Sequence, residues 1–348
     1  MKAEYFLRIK EVSQVHEDDI NPQISLAAIA IEFPERFSPY STYNLEKLNQ
    51  HFEACELYGQ LGLPRKSLLK AHSLVNDYMF PEGPADRLFL TGLMMASFYL
   101  FDHIYDADFQ IPQGRIAIRS HLSGDLIASL EGREPRGNRQ CGFLKSIREI
   151  LACFSETPQD WHALFTTELK KYIRATVKGK QYAREFPQLS LWEYLHIREE
   201  DCGGWWSANL IEYVNDLYLT PEERSQIEVS KMTRLCIWIC SLINDLFSFP
   251  KEMESEEHPF NAVYCCMNYN EVPEKLAVQY LVNELNQLIE EFNYLSEHTI
   301  CQRSSAMQCY VQGLRNFVSG IWYWHRRSGI YAHPDSLFIE LQHRYSPV

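Results

Sequence analysis

The sequence predicts an all-α protein. Apolar residues recur at intervals of three and four over ten segments of the chain, and runs that alternate polar and apolar residues, as strands do, are nearly absent. Two segments also begin with helix-start signals, because Ser190 precedes Glu193 by three residues and Thr220 is followed by a proline and two glutamates. These observations favour helices packed around one core.

The elements follow in chain order. Residues 1 to about 41 lack helical periodicity and carry Pro22, Pro34 and Pro39, which predicts an extended arm with room for a short strand pair. No internal repeat, low-complexity linker or change of composition divides the rest, so we assign residues 1–32 to the arm and 33–348 to a single helical domain. The periodic segments are 45–61, 85–106, 116–130, 140–153, 160–185, 191–200, 222–249, 274–297, 304–325 and 336–344.

The bulk composition excludes some partners. With 348 residues, 46% of them hydrophobic, the chain can bury a large core. Lys and Arg number 33 against 46 Asp and Glu, and a net charge of -13 argues against a nucleic acid as partner. A small anionic substrate would then need metal ions or a local basic cluster. The 10 cysteines are scattered without C-x-x-C spacing, which favours buried reduced thiols over a zinc site.

The location of the protein is predicted from its apolar runs. The first ten residues are mixed and charged, unlike a signal peptide. The longest apolar run, 88–101, ends in an aspartate and is shorter than the roughly 18 to 20 residues that span a bilayer. We therefore expect a cytoplasmic protein without a membrane span, either a monomer or a homodimer.

The first candidate metal-binding motif contains Asp102 and Asp106, four residues apart at the end of a very apolar helix. This spacing places both carboxylates on one helix face. Two carboxylates on a largely buried face repel each other unless a cation lies between them, and their hard oxygens suit Mg²⁺. The alternative is a helix end that simply emerges into water.

The second motif lies at the end of another apolar helix. Asn244, Ser248 and Glu252 recur at every fourth residue, so an amide oxygen, a hydroxyl and a carboxylate form one polar line on the helix. Such a line can chelate one hard cation. The alternative is a chance polar edge, but three oxygen ligands in helical register favour the metal.

These two motifs resemble those of the bacterial class I terpene synthases. Asp102 to Asp106 looks like the aspartate-rich motif of that family with His103 at its second position, and the Asn244, Ser248 and Glu252 triad matches at its usual spacing. The resemblance covers about residues 33–331. It implies a single-domain class I terpenoid synthase fold, in which a helical bundle surrounds a central active-site cavity, and three Mg²⁺ ions.

The resemblance also assigns residues that bind and ionise the substrate. Arg198 occupies the place of the diphosphate-sensing arginine, Asp201 that of the linker, and Cys202 that of the residue whose backbone carbonyl faces the ionising substrate. Gly203 and Gly204 follow, and glycines there would break the helix and free that carbonyl. The alternative for Arg198 is an ion pair with a surface glutamate, and the alternative for the glycines is a plain turn.

The carboxyl-terminal segment departs from the family pattern. The family ends this segment in an Arg-Tyr pair, whereas here Ile330 precedes Tyr331, so only the tyrosine is retained. The missing arginine would have bound diphosphate. Arg326 and Arg327 are candidate substitutes, and the alternative is that both are solvated surface charges.

The remaining predicted site residues line the substrate. Lys251 joins Arg198 and Tyr331 as an expected diphosphate ligand. Aromatic faces stabilise a carbocation by roughly 0.5 to 2 kcal/mol. We select Tyr99, about one turn before Asp102, and Trp324, which matches a pocket tryptophan of the family, as pocket residues.

The resemblance thus implies a Mg²⁺-dependent enzyme that ionises and cyclises a prenyl diphosphate, with farnesyl diphosphate as the leading substrate, a sesquiterpene as product and diphosphate released. A diterpene synthase that uses geranylgeranyl diphosphate is the main alternative. A prenyl chain-elongating synthase would carry a second aspartate-rich motif in place of the triad. A non-catalytic helical prenyl-binding protein is an alternative from a different class.

Overall fold

The computed structural model describes residues 24–57, 66–105, 116–134, 142–185, 188–255, 258–300 and 303–342. Within these ranges the chain forms fourteen α-helices and one 3₁₀ turn (Leu26–Ala28) and no strand beyond an isolated bridge between Ile24 and Phe338. The all-α prediction is confirmed. The helices are α1 (Ser41–Ala54), α2 (Lys66–Met79), α3 (Ala85–Tyr105), α4 (Ile116–Leu130), α5 (Gly142–Phe154), α6 (Gln159–Glu185), α7 (Leu191–Asp201), α8 (Gly204–Asn215), α9 (Pro221–Arg224), α10 (Ile227–Ser255), α11 (Ala262–Asn270), α12 (Glu274–Ile300), α13 (Ser305–Arg327) and α14 (Ile339–Gln342).

Three helices were not predicted from the sequence, namely α2, α8 and α11. In α8, ten of the twelve residues are buried, so the helix has no polar face to produce a period. The segment predicted as one helix over 222–249 is two helices, since α9 ends at Arg224 and α10 begins at Ile227. The segment predicted over 336–344 contains only the four residues of α14 among those described.

Both predicted helix-start signals form capping boxes. Ahead of α7, the Glu193 amide donates to Ser190 Oγ at 3.4 Å, and the Ser190 amide donates to the Glu193 carboxylate at 3.0 Å. The same reciprocal pair joins Thr220 and Glu223 ahead of α9. Each box satisfies two amide groups that the first turn of a helix leaves without partners.

Five helices pack pairwise into a closed ring. In order around the ring they are α3, α2, α13, α10 and α8, with α8 returning to α3. The contact between α2 and α13 is close because Gly320 has no side chain: a Cβ there would lie 2.7 Å from the backbone carbonyl group of Tyr78. Two of the helices that the sequence did not predict, α2 and α8, thus connect the helices that carry the candidate motifs.

The described part of the amino-terminal segment pairs with the carboxyl-terminal segment. The Ile24 amide donates to the Leu337 carbonyl at 3.0 Å, and the Ile339 amide donates to the Ile24 carbonyl at 3.2 Å. Ser25 Oγ donates to Glu340 at 2.6 Å. The segment that follows α13 is therefore held at both ends, although the predicted arm boundary at residue 32 stays a prediction.

The central helix α10 is the one described helix that is long and apolar enough to cross a bilayer. It packs against α7, α8, α11, α12 and α13, and 78% of its apolar window is buried inside the protein. Its apolar character is therefore that of a core helix.

Candidate active site

The predicted oxygen triad lies on successive turns of α10, near its carboxyl end. Ser248 is 5% exposed and Glu252 is partly buried, and Asn261 Nδ2 donates to Glu252 at 2.9 Å. The Asn244 amide contacts three other segments of the chain. Its oxygen accepts from Arg198 Nη2 at 3.4 Å, and its nitrogen lies 3.1 Å from both His325 Nε2 and the Tyr331 hydroxyl.

Arg198 lies in the last turn of α7, on the side of α10 that carries Asn244. Its Nη1 donates to Asp201 at 3.0 Å, and its Nη2 is 3.5 Å from Asp245 Oδ1. Burial disfavours its charge, but Tyr194, Asp201 and Asp245 raise the pKa of Arg198 well above its usual value. Its Nε is buried and has no hydrogen-bond partner within the described part of the chain. The guanidinium thus remains charged and keeps a donor for an anion.

Asp245 supports Arg198 from the core, and it was not among the predicted site residues. It is 1% exposed, accepts from the Tyr194 hydroxyl at 2.6 Å and from the Ala262 amide at 3.2 Å. Burial raises the pKa of Asp245 to about 6, although Arg198 opposes this. A carboxylate in an apolar helix next to Asn244 was the sequence signal that could have identified it.

The chain breaks between α7 and α8 as the two glycines predicted. Cys202 caps α7, and Gly203 adopts a left-handed φ of 74° before α8 begins at Gly204. A side chain at Gly203 would also meet the Trp206 ring nitrogen at 2.7 Å. The Gly204 amide lies 3.4 Å from Cys202 Sγ. Burial raises the pKa of Asp201, which Arg198 opposes.

Tyr331 lies in the segment that follows α13, and its ring stacks on His325 with centroids 4.5 Å apart. Beyond it, His333 Nε2 contacts Glu254 at 3.1 Å, which ties this segment to the end of α10. Tyr331 is therefore held near α10 by the stacked His325 ring and by the attachment of its own segment to Glu254.

Asp102 on α3 and Glu252 of the triad both affect the ionisation of Tyr331. The pKa of Tyr331 is raised well above its usual value by burial, by Tyr99, and by the negative charges of both Glu252 and Asp102. Asp102 is on α3 and Glu252 is on α10, so carboxylates from two helices both influence the ionisation of one hydroxyl group. Asp106 lies outside the described residues, as does the side chain of His103.

The two predicted pocket residues lie together. Tyr99 and Trp324 have ring centroids 5.8 Å apart, and Trp324 is 5.5 Å from Tyr331. Tyr99 also stacks on His72 of α2 at 4.3 Å and 13°. The sequence did not point to His72, because the helix that carries it was not predicted.

The remaining predicted cations and Ile330 take different positions. Lys251 is exposed on α10, one turn after Ser248. Arg327 is exposed and pairs with Glu35 at 2.9 Å, while Arg326 stacks over Trp322 with its guanidinium carbon 5.3 Å from the ring centroid. Ile330 is partly buried against the core.

The donor set fits a divalent metal. An amide oxygen, a hydroxyl and two carboxylates are the hard ligands that Mg²⁺ takes in proteins. Burial and then the charge of Asp245 raise the pKa of Glu252, so this region carries more negative charge than its surroundings stabilise. A cation held by Asn244, Ser248 and Glu252 on α10, with another held by Asp102 on α3, would relieve that excess.

Comparison with known proteins identifies the family. Residues 93–291 match the family model described as terpene synthase family 2, C-terminal metal binding. Epi-isozizaene synthase from Streptomyces coelicolor is 24% identical over 343 residues, which cover 90% of each chain. Terpene synthase 6 from Dictyostelium discoideum is 21% identical over 291 residues, which cover 80% of each chain.

Two solved structures share the fold. Germacradien-4-ol synthase from Streptomyces citricolor superposes with a TM-score of 0.73 at 16% identity, over 87% of this chain and 99% of that one. Linalool/nerolidol synthase from Streptomyces clavuligerus, in complex with 2-fluorogeranyl diphosphate, gives a TM-score of 0.72 at 16% identity, over 86% of this chain and 98% of that one.

The helical fold, the two oxygen-rich helix ends and the match over residues 93–291 define a class I terpene synthase, and the chain belongs to terpene synthase family 2. It is accordingly an enzyme of the terpene synthase class, which uses a divalent metal and a prenyl diphosphate substrate.

Proposed function

We propose that the protein ionises and cyclises farnesyl diphosphate with the help of Mg²⁺, releasing diphosphate and a sesquiterpene. The observation that carries the proposal is the Asn244 amide, which Arg198 contacts at 3.4 Å and Tyr331 at 3.1 Å. One proposed metal ligand is thus shared by two proposed diphosphate ligands from distant parts of the chain.

The metal would be held at two places. Asn244, Ser248 and Glu252 form one binding edge on α10, and Asp102 forms the other on α3, with Asp106 as its expected partner. We expect three ions, as in the family that the sequence resembles. Bound Mg²⁺ neutralises the diphosphate leaving group.

Arg198 and Tyr331 would bind the diphosphate oxygens, joined by the exposed Lys251. Arg198 is suited to this because Asp201 and Asp245 hold its Nη atoms at 3.0 and 3.5 Å, while its buried Nε remains available. A guanidinium held in advance loses little freedom when the anion binds, and so stabilises the charge that develops as the bond breaks.

The bond that breaks joins the allylic carbon to a diphosphate oxygen, and both electrons leave with the oxygen. The backbone carbonyl of Cys202 would face the resulting cation. Asp201, the neighbour of Cys202, would link this break between α7 and α8 to Arg198. Tyr99 and Trp324, with ring centroids 5.8 Å apart, would offer aromatic faces to the cation. Trp324 is buried and Tyr99 is partly buried, and such apolar surroundings limit the access of water to the cation.

Farnesyl diphosphate is our leading substrate, and geranylgeranyl diphosphate is the alternative. A cytoplasmic location accords with a soluble substrate and with α10 as a buried core helix. The test is to incubate purified protein with prenyl diphosphates of ten, fifteen and twenty carbons, with Mg²⁺ or with EDTA, and to identify the products by gas chromatography with mass spectrometry.

We expect a cyclic fifteen-carbon hydrocarbon or alcohol from farnesyl diphosphate, and none with EDTA. A cyclic twenty-carbon product alone would move the substrate to geranylgeranyl diphosphate. Longer prenyl diphosphates would indicate chain elongation, and no conversion of any substrate would indicate a non-catalytic protein.

The proposed metal-binding role of the triad can be tested by comparing two serine variants of the same helix. Ser248→Ala should raise the Mg²⁺ concentration needed for half-maximal rate by roughly tenfold or more. Ser230→Ala makes the same change at an exposed position of α10 and should leave that concentration unchanged. Equal Mg²⁺ requirements in the two variants would remove Ser248 from the metal site.

A further inference from the structure

The two ends of the Asn244 side chain are chemically different, and only one of them can bind a cation. The carboxamide oxygen has lone pairs, whereas its NH₂ group only donates hydrogen bonds. If the side chain were rotated by half a turn, the NH₂ group would face the metal site and the triad would lose a ligand. Something must therefore fix this orientation.

His325 is a buried residue of α13 whose tautomer is set by the helix itself. Its Nδ1 lies 2.7 Å from the Ile321 carbonyl oxygen, which is an acceptor only, so Nδ1 carries the proton. Nε2 is consequently left with a lone pair. The ring is 2% exposed, so water does not compete for it.

That lone pair points to the Asn244 nitrogen. Nε2 lies 3.1 Å from Asn244 Nδ2 and accepts one of its two hydrogens, while the Tyr331 hydroxyl, also at 3.1 Å, accepts the other. The oxygen is thereby directed to Arg198, whose Nη2 donates to it at 3.4 Å. Both ends of the amide are matched to their neighbours.

From this geometry we infer that His325 is a positioning residue, which holds the Asn244 oxygen toward the metal site by accepting from its nitrogen. The inference rests on the proposed function, since it presumes that Asn244 binds the metal. In the reversed orientation the amide oxygen would meet the His325 lone pair and the amide nitrogen would meet the Arg198 donor, so two attractive contacts would become repulsive.

The chain also holds the ring of His325 itself in place. Phe247 packs edge-on to it at 5.2 Å, Trp324 edge-on at 4.7 Å, and Tyr331 stacks on it at 4.5 Å. Because packing fixes the His325 ring on several sides, the ring can in turn fix the orientation of the Asn244 amide.

The test compares His325→Gln with His325→Leu. Gln can place an acceptor oxygen near the position of Nε2, whereas Leu fills similar space without an acceptor. Ser319→Ala is the matched control, because it removes a hydrogen bond to the Pro34 carbonyl at 2.9 Å from the same helix without contact to Asn244. The readout is Mn²⁺ binding in the presence of inorganic diphosphate, followed by electron paramagnetic resonance, and it requires no turnover.

We expect His325→Leu to bind Mn²⁺ at least tenfold more weakly than the native protein, and His325→Gln and Ser319→Ala to stay within about threefold of it. If His325→Leu binds Mn²⁺ as tightly as the native protein does, the inference is wrong, although the proposed function would stand. No Mn²⁺ binding by the native protein would instead overturn the proposed metal site itself.

A second measurement needs no variant and covers the case in which His325→Leu fails to fold. Long-range ¹H–¹⁵N spectra of the native protein distinguish the two neutral tautomers of a histidine ring. We expect the proton on Nδ1 of His325. A proton on Nε2 would point toward the Asn244 nitrogen and would overturn the inference.

Discussion

Asp77 is a buried carboxyl group whose ionisation should limit the stability of the protein at neutral pH. It lies near the end of α2, is 1% exposed, and accepts from Asn44 Nδ2 at 3.3 Å. Burial raises its pKa from 3.8 to about 6, although hydrogen bonds from Ser41 and Asn44 act to lower it. Replacing Asp77 by Asn keeps an acceptor for Asn44 and removes the charge.

The size of the effect follows from the pKa difference between the folded and unfolded states. Because the folded value lies above the unfolded one, the stability linked to the neutral carboxyl is fully present below about pH 3.8 and is lost as the pH rises through about 6. About two pKa units at 1.36 kcal/mol each amount to about 3 kcal/mol. Asp77→Asn avoids this loss.

Urea unfolding followed by circular dichroism at pH 4 and pH 7.5 tests the argument. The difference in unfolding free energy between Asp77→Asn and the native protein should shift in favour of the variant by about 2 to 3 kcal/mol between the two pH values. Glu156→Gln, which makes the same change of charge at an exposed position, is the control for an effect of net charge alone. A difference independent of pH would refute the reasoning, because it would mean that Asp77 does not titrate with the raised pKa.

Other predictions concern the site and the ring of helices. Arg198→Lys should lower kcat by roughly 10² to 10³-fold with a native circular dichroism spectrum, since it removes planar donors from the diphosphate; an unchanged kcat would exclude Arg198 from the site. Ile330→Arg should fold, because Ile330 is only partly buried, and should bind inorganic diphosphate more tightly in calorimetry; a loss of cooperative unfolding would show instead that Ile330 is needed in the core. Gly320→Ala should lower stability in urea by about 1 to 3 kcal/mol, because its Cβ would lie 2.7 Å from the Tyr78 carbonyl group, whereas Gly124→Ala, with nothing within 4 Å, should not; equal effects would show that α2 and α13 can separate without cost.

Local signals in the sequence predicted most helices and the proposed metal ligands. Asn244, Ser248 and Glu252 share a helix face by spacing alone, and capping boxes at Ser190 and Thr220 mark helix starts that the structure confirms. The buried helix α8 was missed because nearly all of its residues are inside, which leaves no polar face and therefore no period.

The sequence by itself determined that the protein is all-α and that Asp102 on α3 and the Asn244, Ser248 and Glu252 line on α10 are candidate metal ligands, because helical periodicity and four-residue spacing are local properties of the chain. Only the tertiary structure decided that Arg198, 46 residues before Asn244, and Tyr331, 87 residues after it, meet at one amide. It also placed Asp245 beneath Arg198 and His325 beside Asn244. Such contacts depend on how separate helices pack. The spacing of residues along the sequence does not show which buried polar groups will face each other.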